Sequence, residues 1–313
     1  MFAYIVRRIL STVPVMAVVA LFVFGLLHLS PGDPAAIIAG DTASPADIAR
    51  IHQALGLDQP LYVQFASWVW RLLHGDLGIS IFTNLPVTTL IAQRVEPTAA
   101  LTLSTVLVSV VSAIPLGVLA AWKAGSWIDR AVMAFAVLGF SVPVFVVAYV
   151  LIYVFAVRTD WLPVQGFAPL DRGLWPFLSH LVMPTIALAM IYTALIARMT
   201  RASMLDVLAQ DYIRTAHAKG LANGQVLIGH ALKNAAVPIA TIIGIGVASL
   251  VAGVVVTETV FAIPGLGRLT VDAILRRDYP IIQGMILIFS GAYVLINLLV
   301  DLSYTFLDPR IRY

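Results

Sequence analysis

The side chains best placed to do chemistry in this sequence are basic and close together. Arg214, His217, Lys219, His230 and Lys233 all fall within the stretch Arg198–Pro238. No catalytic pattern accompanies them. The three lysines, Lys123, Lys219 and Lys233, lie in no Gly-x-x-x-x-Gly-Lys-Ser/Thr loop, and neither His-Glu-x-x-His nor Gly-x-Ser-x-Gly occurs. That weakens a hydrolase reading and leaves contact with a partner, or with solvent, as what these groups could do.

The spacing predicts two short helices to position these groups. Ser203 caps the first, with Asp206 three residues on completing a capping-box pattern. Leu205, Leu208 and Tyr212 then form one apolar stripe, and Gly220 ends the helix where a residue without Cβ takes a left-handed conformation. Asn223 caps a second helix, Gly224 to Asn234. A basic helix–turn–helix with a small apolar face suits a groove on a soluble partner. A solvated hairpin joining two apolar runs accounts for the same residues.

Composition sets the class. The chain has 313 residues, 60% of them hydrophobic and 11% charged, far below the roughly 25% charged residues of soluble domains. The expected fold is an all-α polytopic membrane protein of six transmembrane helices. A formal charge of +3, dispersed along the chain, does not argue for nucleic acid, and the absence of cysteine excludes disulfides and thiolate sites.

Residues 1–29 read as an uncleaved N-terminal transmembrane helix. The run Ile9–Leu29 would rise about 31 Å, enough to cross the hydrocarbon core, and it meets a helix stop at Pro31-Gly32-Asp33-Pro34. Residues 30–97 form an external region, with a helix from Ser44 to Gly56 and an amphipathic helix Leu61–His74. That helix places Leu61, Phe65, Trp68 and Leu72 on one face, either at the membrane interface or packed on an external subdomain. His74 and Asp76, without further ligands, read as structural.

Residues 98–313 hold the remaining five spans, Thr98–Trp122, Ala131–Val157, Met183–Ala197, Val237–Thr257 and Ile281–Val300, with Arg198–Pro238 between the fourth and fifth spans of the chain. Ser141-Val142-Pro143 should kink the third span. Gly244, Ala248 and Ala252, with Ser249 and Gly253, offer small faces for close helix approach. Glu258–Pro280 reads as an outer loop. Eleven of the nineteen cations fall in short segments on the N-terminal side of the membrane, which puts both termini and Arg198–Pro238 in the cytoplasm.

Arg214-Thr215-Ala216-His217-Ala218-Lys219-Gly220-Leu221 followed by His230-Ala231-Leu232-Lys233 resembles the cytoplasmic coupling segment of bacterial ABC importer permeases. Gly220 sits at that pattern's glycine, and His230 and Leu232 at its Ile and Leu places; Arg214, Thr215, His230 and Lys233 depart from it in the manner of the dipeptide/oligopeptide (peptide/nickel) branch. Further matches are Pro31-Gly32-Asp33-Pro34, Leu55-Gly56-Leu57-Asp58, Gly75-Asp76-Leu77-Gly78, Phe261-Ala262-Ile263-Pro264-Gly265-Leu266-Gly267 and Asp308-Pro309-Arg310. The resemblance implies a permease fold with a cytoplasmic coupling helix in the bacterial inner membrane. It also implies a second homologous permease, two cytoplasmic ATPases that bind the ATP and Mg, and an external substrate-binding protein; this chain would itself be no enzyme and hold no cofactor or metal. The docking residues would be Arg214, Thr215, Ala216, His217, Ala218, Lys219, Gly220, His230, Leu232 and Lys233. A Ser-x-Pro-x-Phe pattern would bring Ser141 and Pro143 towards the path.

The spans carry no Asp, Glu, Lys or Arg near their centres; only His28, at an edge, and Asn297 come close. An ion-coupled carrier ordinarily needs such groups. A path without its own engine, beside a cytoplasmic docking segment, implies a borrowed engine. The alternative is a channel or scaffold whose hairpin binds a partner other than an ATPase. The cargo stays open among dipeptides, oligopeptides, nickel chelates, glutathione and sugars.

Overall fold

A computed structural model describes residues 2–29 and 57–307, with positions 35, 44–46, 48, 49 and 53 between them. The expected stop at Pro31-Gly32-Asp33-Pro34, the helix end at Gly56 and the tail Asp308-Pro309-Arg310 lie outside these residues, as do the side chains of Arg7, Arg8 and His28.

The described elements are helical. In chain order they are α1 (Phe2–Leu29), α2 (Leu61–Leu73), α3 (Val87–Trp122), α4 (Trp127–Ser141), α5 (Val144–Leu151, continued by a π-helix Ile152–Arg158), α6 (Leu174–Leu208), α7 (Asp211–Ala218), α8 (Lys233–Val260), α9 (Leu266–Arg276) and α10 (Tyr279–Leu307). Four helices among the described residues are long and apolar enough to cross a membrane, or five if the bent pair α4–α5 is one span; Leu10–Leu26 of α1 is a shorter apolar stretch. The chain divides into two compact units. One comprises Met1–Ile5, Arg94–Arg268 and Tyr293–Tyr313; the other comprises Val6–Gln93 and Leu269–Ala292.

In the first unit α6 is central: 67% of its apolar window is buried, against 28% for α3. Leu181, Leu188, Tyr192 and Ile196 of α6 pack with Leu101 and Ala113 of α3, Ala148 of α5, and Leu250 and Val254 of α8. Hydroxyls stitch α3 to α6 at near-helical intervals. Ser104 meets Thr185 at 2.7 Å, Ser109 donates to Ala189 O at 3.4 Å, and Ser112 meets Thr193 at 3.0 Å. In hydrocarbon a polar group must find such a partner inside the protein. Small residues set how near the helices come. A Cβ on Gly117 would lie 2.7 Å from Ala197 O, one on Gly253 3.3 Å from Leu188 Cδ2, and one on Gly244 would fall on Val300.

In the second unit α2 lies against α1. Phe65 meets Phe24 edge-on at 5.3 Å and Trp68 lies 5.8 Å from the same ring. The apolar face of α2 is thus Phe65, Trp68 and half-buried Leu72, while Leu61 and Trp70 are exposed. His74 Nδ1 bonds with Trp70 O at 2.8 Å and Asp76 accepts from Gly78 N–H at 2.8 Å, so both have local structural roles.

Several expectations require correction. Ser141-Val142-Pro143 does not kink a continuous helix; it separates two helices, with a bend of 101° between α4 and the following helical segment. Pro143 is the N-cap residue of α5, and its own carbonyl accepts from Val146 and Val147. The chain here leaves the helix instead of bending it, because Val142 before the proline takes φ −89°, ψ 123°. Ser141 Oγ bonds back to Val137 O at 2.8 Å. The stretch Glu258–Pro280, expected to be a loop, holds α9, and the connection after α5 is shorter than expected because α6 starts at Leu174.

Candidate coupling surface

The predicted helix start at Ser203 does not exist. Ser203 and Met204 are buried inside α6, which runs on to Leu208 because Met204 joins a core with Ala121, Ile213, Val226 and Ala231 that holds its last turns helical. Gln210 is the N-cap residue of α7 instead. The expected stripe is therefore split: Leu205 and Leu208 finish α6 and pack on that core, while Tyr212 on α7 is 45% exposed.

Gly220 does what its position demands. It stands at φ +82°, Gly220 N–H donates to His217 O at 2.9 Å, and Leu221 N–H reaches back to Ala216 O at 3.3 Å. These two bonds are the Schellman closure of a helix. The next helix is capped not by Asn223 but at Ala222, whose N–H is taken by Gln225 Oε1 at 3.3 Å. Nor does it stop at Asn234. It passes through a π-helix, Val226–Leu232, directly into α8, where no glycine breaks it and Pro238 is accommodated.

The ten candidate docking residues separate by burial. Arg214, Thr215, His217, Ala218, Lys219, Gly220 and Lys233 are exposed, and His230 and Leu232 half-buried. Ala216 is buried, with Ile213, in the core beneath, so its side chain packs inward and holds α7 down. Tyr212, expected in the apolar stripe, and Ile228 (67% exposed), which the sequence alone did not single out, share the exposed set with the cations. Arg214 makes only a loose surface contact with Asp211, 3.4 Å away. The arrangement is a buried apolar base whose exposed surface carries several cations and two large apolar side chains.

Further groups that the sequence reading missed are buried acids. Asp129, next to the turn between α3 and α4, receives Arg201 of α6 in a two-pronged contact at 2.5 and 2.7 Å and accepts from Gly125 N–H at 3.0 Å. Glu258, fully buried, accepts from Thr98 Oγ1 at 2.5 Å and from Arg268 N–H at 2.9 Å. In the second unit Asp278 accepts from Ser80 Oγ at 2.6 Å and Ile81 N–H at 3.3 Å. Single acids at span ends leave no pattern in the sequence. The one signal was the pair Gly265 and Gly267, where a Cβ would collide with the Glu258 carboxylate or stand 2.7 Å from Val255 Cα.

Two family models match this architecture. Residues 113–313 match the binding-protein-dependent transport system inner membrane component, and residues 1–102 match the N-terminal region of the same membrane component. The chain belongs to this permease family. It is a multi-pass inner-membrane permease. "Probable peptide ABC transporter permease protein y4tP" of Sinorhizobium fredii is 56% identical over 310 residues, 99% of each chain. The glutathione transport system permease GsiC of Escherichia coli is 42% identical over 313 residues, all of both chains. The dipeptide permease DppB of Escherichia coli K12 is 40% identical, covering 100% of this permease and 99% of that protein. Among solved structures, the inward-facing MetNI methionine ABC transporter aligns with TM-score 0.59 and 19% identity over 71% of this permease and 97% of that chain, which is likeness of fold.

Proposed function

We propose that this permease is one of a pair of membrane subunits that form the path of an ATP-driven peptide importer, and that its α7–Gly220–π-helix module is where a cytoplasmic ATPase docks. The observation that carries the docking assignment is the set of exposed basic and apolar side chains, Arg214, Lys219, Lys233, Tyr212 and Ile228, mounted on a buried core continuous with α6 and α8. A push on this surface would be delivered through that core to α6 and α8. Closure of two ATPases on ATP would draw two such modules together and switch the path between inward- and outward-facing states. The reading includes six spans with both termini inside, α1 and the α4–α5 pair each crossing once, and an external binding protein that delivers cargo. ATP and Mg would be held by the ATPases, so the permease itself is no enzyme. Ser141 and Pro143, exposed at the broken α4–α5 span, are placed in this reading beside the path or the second permease.

Peptide is the proposed cargo because dipeptide and glutathione permeases stand among the full-length relatives and glutathione is itself a peptide derivative. With few charges in the spans, side-chain recognition would fall mainly to the binding protein. The test is purification of the tagged permease in mild detergent together with uptake of labelled alanine peptides by cells. Recovery of an ATPase that crosslinks to Lys219→Cys, with ATP-dependent uptake, is the expected result. Recovery of a non-ATPase partner at that cysteine would replace the importer reading with a scaffold or channel.

A further inference from the structure

The buried carboxylate of Glu258 is not used by any role assigned so far. Burying a carboxylate is costly unless donors surround it, and a well-packed neutral side chain is often the more stable choice. Here the donors are specific. Thr98 Oγ1, at the external end of the membrane part of α3, donates to Glu258 Oε1 at 2.5 Å and itself accepts from Leu266 N–H at 2.8 Å. Arg268 N–H donates to Glu258 Oε2 at 2.9 Å. Leu266 and Arg268 are in the first turn of α9, whose amides have no partners within the helix. One chain of hydrogen bonds therefore runs from the turn through Thr98 to the end of α8, with every donor and acceptor assigned. Backbone bonds brace it: Ile263 N–H reaches Glu258 O at 2.9 Å, and Gly166 N–H reaches Phe261 O at 2.9 Å. Gly265 and Gly267 are glycines so that the turn can close on the carboxylate.

We propose that Glu258 is a positioning residue for transport: it pins the turn 263–268 to Thr98 of α3 and to the end of α8, so that these three parts move as one block when the external partner engages. The inference rests on the importer reading. A turn released from this pin would yield locally to a load that must otherwise shift two core helices. Coupling needs an element with two discrete arrangements, not a compliant one.

Three substitutions test it in the full complex with its own ATPases and binding protein. Glu258→Gln keeps the shape but replaces one acceptor oxygen with an N–H donor, so either the Arg268 N–H or the Thr98 hydroxyl loses the acceptor it has now. Thr98→Val removes the hydroxyl relay at equal size, and Thr98→Ser restores it. The expected result is that Glu258→Gln and Thr98→Val reach the membrane at normal levels and retain basal ATPase activity. They lose about tenfold or more in uptake of alanine peptides and in stimulation of ATPase by peptide-loaded binding protein, while Thr98→Ser stays within about twofold of the parent. The double variant Glu258→Gln/Thr98→Val should be no worse than Glu258→Gln alone, since both break one relay. Loss of uptake that tracks loss of protein from the membrane, uptake preserved in Glu258→Gln, or Thr98→Ser as poor as Thr98→Val would each overturn the inference. An unsubstituted chain that recruits no ATPase would instead sink the importer reading.

Discussion

At the scale of the residue, Gly220 and Asp129 carry the sharpest expectations. Gly220 has open space where a Cβ would stand and φ +82°, so a side chain there is opposed by backbone conformation and by whatever docks, not by its own neighbours. Gly220→Val should cost about 1–2 kcal/mol in backbone strain and still insert normally, yet lose uptake and ATPase association. Lys219→Ala, which removes a charge without a clash, should be milder. Quantitative membrane blots beside peptide uptake check this, and normal uptake by well-expressed Gly220→Val would remove the coupling assignment. Asp129 is 5% exposed at its side chain and Arg201 27%, a pair more enclosed than a surface ion pair. Asp129→Ala strands the guanidinium and frees the Gly125 amide; with Arg201 partly solvated, a loss of about 2 kcal/mol is expected. It would be read as a lower Tm in detergent, with Asp129→Ala/Arg201→Ala recovering part of it.

At the scale of the element, the helix ends explain why some segments were legible and others not. Gly220 marks the end of α7 openly. The ends of α8 and α9 are closed the same way, by Ile263 N–H to Glu258 O at 2.9 Å and by Asp278 N–H to Ala273 O at 2.9 Å, but their left-handed residues are Ala262 (φ 50°) and Arg277 (φ 57°). Without a glycine to announce them, the segment between looked like a loop. Ala262→Gly should relieve the left-handed strain and, after the entropy a glycine adds to the unfolded chain, stabilise by about 0.5–1 kcal/mol. A thermal shift in detergent measures it, and a lower Tm would show that the methyl group's packing matters more. The break at Pro143 was visible as a proline, yet its angle was not. A proline permits either a kink or a fresh start, and the surroundings of α4 and α5 choose.

At the scale of the whole molecule, the proposed topology makes a direct prediction, aided by the absence of cysteine. Asp171→Cys, between α5 and α6, should react with an impermeant thiol reagent in intact cells, and Lys219→Cys only after the membrane is opened. External labelling of Lys219→Cys would invert the orientation. Composition and apolar run length by themselves determined a helical, polytopic chain and the approximate position of the polar hairpin proposed for docking, because the cost of exposing backbone to lipid leaves a long apolar run few alternatives. Single acids, by contrast, do not reveal their partners: Thr98 and Glu258, or Asp129 and Arg201, are far apart in the chain and meet only because α3, α4, α6 and α8 pack as they do. Tertiary structure likewise decided that Ser203 lies inside a helix and that Ala216 faces the core. A cap and a mid-helix serine have the same local sequence, and only the packing of Met204 and Ile213 against Ala121, Val226 and Ala231 tells them apart.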